Sequence, residues 1–105
     1  MKTLWFKQCY VRPILDGIKQ ETIRSAKRPG PMIGAHITVS VGPRTPFALI
    51  EVVDNEVIML ADLDPEDAFA TIALIGDGER MRRIRFRLIR VFEECPEVEL
   101  ARRHH

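Results

Sequence analysis

The feature that most restricts how this chain can fold is the run "RMRRIRFRLIRVF", Arg80 to Phe92. Ile84, Phe86 and Leu88 alternate in it with Arg83, Arg85 and Arg87. A helix would scatter these two sets around its circumference. A strand sends successive side chains to opposite faces, and so sorts them into one apolar and one basic face. The segment is read as a long final strand.

Other segments follow the same logic. "TLWFKQ" (Thr3 to Gln8) is short, aromatic and β-prone, "ETIRSA" is a second strand, and "AHITVSV" alternates Ile37, Val39 and Val41 against His36, Thr38 and Ser40. "FALIEVVDNEVIML" is too β-branched for a helix and reads as two strands or one bent strand, with Asp54 and Asn55 at the bend. Two short helices interrupt them. In "YVRPILDG", Val11, Ile14 and Leu15 recur at helical spacing, Pro13 suits a first turn, and Gly17 suits the position past the end. In "DLDPEDAFATIALIG", Asp64 is a capping residue, Pro65 fits the first helical position, and Gly76 or Gly78 ends the helix. The order is β-α-β-β-β(β)-α-β. Five or six strands in so short a chain must close on themselves or cover their edges. The expected fold is α+β, a small mixed barrel with two short helices.

With 105 residues the chain is read as one domain, over 1–95, followed by a charged, frayed tail over 96–105. Such a domain buries one small core, so any site is a modest pocket or a surface groove. Sixteen basic against fifteen acidic residues give no bulk charge that announces a nucleic-acid partner. Cys9 and Cys95 have no metal-like spacing and read as reduced thiols. The N-terminus has no signal-like apolar run and no stretch reaches spanning length, so a cytoplasmic location without membrane contact is expected. His104 and His105 read as a floppy end rather than a metal site, and neither a metal nor a cofactor is expected. The oligomeric state is left open.

"DGIKQETIR", Asp16 to Arg24, admits two readings. In the structural one, Gly17 ends a helix, Lys19 is solvated, Thr22 is a good strand former and Arg24 is a strand charge. In the chemical one, the Thr22 hydroxyl is a nucleophile. A threonine hydroxyl is weak at that task until something takes its proton, and a lysine can do so when desolvation or a nearby positive charge disfavours its charged form. Arg24 is placed to act in that sense.

"GIKQETIR" matches G-x-K-x-x-T-x-R, and in this the chain resembles the ASCH family, a branch of the PUA-like barrels. The resemblance extends over most of residues 4 to 92: "LWF" upstream, "PIL" before "DG", "PGPMIGAHITVSV" and "FALIEVVDNEVIMLADL" in order. It implies a PUA-like β-barrel and a role in RNA binding or RNA metabolism, with RNA or a small nucleoside ligand as partner. One branch of the family removes the acetyl group from 4-acetylcytidine with a Lys, a Thr and a Glu. The first two correspond to Lys19 and Thr22. Ribonuclease activity on single-stranded RNA is a third implied possibility. For the Glu, "DPEDAFATIALIGDGER" is shorter than its counterpart and offers Glu66 and Asp67 early, Asp77 and Glu79 late. Glu66 and Asp67 are carried as the candidate acids, although both also suit the positive end of a helix dipole.

Two further sets complete the candidate site. Arg83, Arg85 and Arg87 form a row suited to RNA phosphates, or equally a soluble strand face paired with Glu51, Asp54 and Glu56. Trp5 and Tyr10 are candidate pocket walls that could stack on a base beside the Lys19 region, with Arg24 lining the same pocket, whereas Phe6 reads as core.

Overall fold

The computed structural model describes residues 3–26, 30–59 and 80–103. Its strands are β1 (Thr3–Trp5), β2 (Glu21–Ser25), β3 (His36–Ser40), β4 (Pro46–Met59) and β5 (Arg80–Val91). A 3-10 turn, Gln8–Tyr10, leads into helix α1 (Val11–Leu15), and helix α2 (Pro96–Arg103) closes the described chain. The strands form one mixed sheet in the order β1-β3-β4-β5-β2, curled into a half-barrel. β1 runs parallel to β3 and every other neighbour is antiparallel. This is the small α+β architecture expected from the sequence.

The long segment after the "GPRTP" turn is a single bent strand. β4 keeps pairing with β5 throughout, but Val52 faces Phe86 while Asp54 faces Arg85, so Val53 is an extra residue. A bulge of this kind bends the strand and shifts its parity. On the core side of the bulge, Phe47, Ala48, Ile50 and Val52 are fully buried. Beyond it, Asn55 rather than a residue of the earlier parity faces Ile84.

α1 has five residues, too few to persist alone in water. Burial of Val11 and Ile14 holds it in place. Gly17 takes φ +74°, and nothing lies within 4 Å of where its Cβ would be, so the requirement for glycine there is conformational rather than steric. The amides of Ile18 and Lys19 both donate to the carbonyl of Pro13, fixing the chain as it enters β2.

Two expectations are amended and a third is not tested. β1 stops at Trp5, short of the expected Gln8, while Phe6 is buried in the core as expected. The helix expected from Asp64 lies outside the described residues. The segment expected to be a frayed tail forms α2, with Val98 and Ala101 buried against a core that includes Val11 and Ile14. Its charge misled: Glu97 and Glu99 sit in the first turn and Arg102 and Arg103 in the last, the arrangement that a helix dipole favours.

Candidate functional site

β2 presents Thr22 and Arg24 to one side of the sheet, since residues two apart on a strand share a face. That side is the concave one, because Thr22 stands opposite Ile84, which is 2% exposed. Thr22 is itself buried. Arg24 donates from Nε to Thr22 Oγ1 over 3.1 Å and from Nη2 to the main-chain carbonyl of Trp5 over 2.6 Å. β1 and β2 are the two edges of the sheet, so this guanidinium spans the gap between them.

The guanidinium also lies 4.9 Å from the centre of the Phe6 ring. Lys19 Nζ lies 6.0 Å from the same ring and 4.7 Å from that of Tyr10. Aromatic faces attract cations over such distances. Phe6 in turn packs edge-on against Tyr10 and Phe86. Lys19, Thr22, Arg24 and Tyr10 are thus brought together over an aromatic floor. Trp5 joins through its carbonyl, and its side chain is largely exposed. Burial pushes the Arg24 guanidinium below its ordinary pKa, since the charged form loses water.

The arginine row lies on the opposite face. Arg83 pairs with Glu56 at 3.1 Å and Glu21 at 4.0 Å, Arg85 with Glu21 at 3.4 Å, and Arg87 with Glu51, which His36 also approaches at 3.5 Å. The row is therefore matched by carboxylates on both neighbouring strands, of which Glu51 and Glu56 were expected and Glu21 was not. Glu66 and Asp67 lie outside the described residues. Among the described residues no cluster of three His, Cys, Asp or Glu side chains has metal-binding geometry.

Two polar residues on the concave face were not anticipated. Arg82 stands opposite Arg24 across β2 and β5, and Asn55 stands opposite Ile84 across β4 and β5. The sequence signal for Arg82 was its parity, which it shares with Ile84 and Phe86. No sequence signal located Asn55, because its face depends on the bulge at Val53. A separate surface groove of about 400 Å³ lies between the turn before β4 and the turn after β5, lined by Arg44, Thr45, Pro46, Phe92, Cys95 and neighbours. It contains none of the motif residues.

No protein-family model matches the sequence, and no curated protein matches it. Solved structures do. A DUF984 protein from Enterococcus faecalis superposes with a TM-score of 0.65 at 12% identity, covering 88% of this chain and 82% of that one. ZmASCH from Zymomonas mobilis, as a tyrosine-to-phenylalanine variant, gives 0.65 at 12% identity over 86% of this chain and 73% of its own. Its serine-to-alanine variant gives 0.64 at 11% over 86% and 71%. The chain has an ASCH-like fold. None of the described helices is long and apolar enough to cross a membrane.

Proposed function

We propose that the protein binds RNA or a nucleotide-like ligand on the concave face of its half-barrel, through Lys19, Thr22 and Arg24. The observation that carries this reading is the setting of Arg24. Its guanidinium is partly withdrawn from water, its hydrogen bonds go to two neutral oxygens, and it shares the Phe6 ring with a second cation, Lys19. A cationic fork over an aromatic floor suits the oxygens and the flat bases of a nucleotide. Trp5 and Tyr10, both exposed in part, supply stacking surface at the rim. The ASCH-like fold supports the reading. The outer arginine row contributes less to it, because its charge is already matched by Glu21, Glu51 and Glu56.

The test is binding of single-stranded RNA across a salt series. Lys19→Ala and Arg24→Ala are each expected to weaken binding about tenfold, the scale of one charge-assisted contact. Binding that neither substitution alters rejects the concave face as the site.

A second reading is favoured by the bond between Arg24 and Thr22. Because Nε donates to Oγ1, the hydroxyl keeps its own proton to give to a base. In an amidohydrolase acting on 4-acetylcytidine, Lys19 would take that proton, directly or from a water. Attack on the acetyl carbonyl then breaks its bond to N4, which leaves protonated, and acetate and cytidine result after hydrolysis. Release of acetate by the wild type, and none by Lys19→Ala or Thr22→Ala, selects this reading. Release surviving both substitutions rules it out.

A further inference from the structure

Arg24 and Arg82 are directly opposite one another in the antiparallel register of β2 and β5. The next pair on the same face, Thr22 and Ile84, is buried, so both arginines belong to the concave face. Like charges directly opposite on a sheet oppose folding. On the convex face each arginine of the row Arg83, Arg85 and Arg87 is matched by a glutamate. On the concave face the Arg24 guanidinium has neutral partners.

Arg82 is held by its surroundings. Its Nη1 donates to Asn55 Oδ1 over 3.3 Å, and Asn55 Nδ2 donates to the carbonyl of Pro31 over 2.8 Å. The chain at Gly30 lies directly against both side chains. A Cβ there would stand 2.5 Å from Asn55 Nδ2 and 3.0 Å from Arg82 Cδ. So the approach to β3, the amide of Asn55 and Arg82 form one connected wall on the side that carries Thr22 and Arg24.

We propose that Arg24 and Arg82 form a phosphate subsite of the concave face, with Asn55 and Gly30 as residues that position Arg82. The ligand is then a phosphorylated nucleoside or a phosphodiester rather than a free nucleoside. This rests on the nucleotide-binding reading above and adds the group recognised. Arginine suits the role because its planar fork meets two phosphate oxygens at once, with charge-assisted bonds.

The experiment compares cytidine with cytidine 5′-monophosphate by calorimetric titration of the wild type, Arg82→Gln and Asn55→Ala. The wild type is expected to prefer the monophosphate by about tenfold or more. Arg82→Gln removes the preference and Asn55→Ala lowers it, while affinity for cytidine stays within about twofold. Should Arg82→Gln not fold, Arg82→Lys keeps the charge but loses the fork, and is expected to retain part of the preference. Equal wild-type affinity for the two probes overturns the subsite, as does a preference that the Arg82 and Asn55 variants leave intact. If cytidine binds equally well without phosphate and Lys19→Ala abolishes that binding, the subsite falls and the nucleotide-binding reading stands. If neither probe binds, the subsite falls, and the titration with single-stranded RNA decides the nucleotide-binding reading.

Discussion

Arg24 and Thr22, two residues apart on β2, are joined by a hydrogen bond of 3.1 Å from Nε to Oγ1. The contact gives the motif residues a structural duty. The same guanidinium reaches the carbonyl of Trp5, so one side chain orients the buried hydroxyl and ties the two edges of the sheet together. Substitutions here must therefore be read by stability and by ligand binding separately.

Thr22→Val removes the acceptor and keeps the shape. Thr22 is buried, so Nε is left facing an apolar group, and a loss of about 1 kcal/mol in stability is expected. Thr22→Ser restores the oxygen and should recover most of it. Urea unfolding measures both. If the hydrolase reading holds, Thr22→Val is inactive on 4-acetylcytidine and Thr22→Ser keeps activity.

Arg24→Lys keeps the charge and loses the fork. A lysine amine cannot bond Thr22 and Trp5 with the fixed geometry of a guanidinium. The expected loss is about 1–2 kcal/mol, from hydrogen bonds that involve a charged group at a partly exposed site. Equal stability of Arg24→Lys and wild type in urea would show that the tie between β1 and β2 is not needed.

The motif was legible because its parts are local. Lys19, Thr22 and Arg24 fall within six residues, at a helix exit and along one strand, and strand parity alone puts Thr22 and Arg24 on one face. The long alternations of β4 and β5 were legible for the same reason. Asn55 was not, because the bulge at Val53 resets which residues face the core. Arg82 was obscured by five other arginines in β5, although its parity with Ile84 marked it. α2 was hidden by its composition. Only Val98 and Ala101 of its eight residues are buried, and their partners come from distant parts of the chain.

Glu51 predicts a pH dependence. The hydrogen bond from Arg87 holds its carboxyl below the ordinary value, the charges of Arg87 and His36 add to this, and burial works against it. A carboxylate whose pKa is lowered by folding stabilises the fold above its unfolded pKa, and that stability is lost as pH falls through the folded value. Urea midpoints of the wild type and Glu51→Gln are therefore expected to differ at neutral pH and to converge as pH drops through about 4 and below. The difference should shrink in high salt, since the pair is exposed. A difference independent of pH would assign the effect to packing instead.

Arg85→Ala combined with Arg87→Ala separates the two faces of the sheet. Both arginines are paired with glutamates, so the double variant is expected to change affinity for single-stranded RNA by no more than about threefold at moderate salt. Lys19→Ala should exceed that change. The reverse order of effects would move the ligand to the convex face.

Val98→Ala tests whether α2 belongs to the domain. Val98 is 1% exposed and sits in the same core cluster as Val11 and Ile14. Arg12 reinforces the contact by donating from Nη1 to the carbonyl of Arg102 over 3.0 Å. Removing two buried methyl groups costs transfer free energy and leaves a cavity, together about 2 kcal/mol. The loss should appear as a lower urea midpoint with an unchanged slope, because the surface exposed on unfolding is nearly the same. α1 also fixes the exit towards Lys19 through the carbonyl of Pro13, so nucleotide affinity is expected to fall only where the variant begins to unfold. A Val98→Ala protein as stable as the wild type would detach α2 from the core.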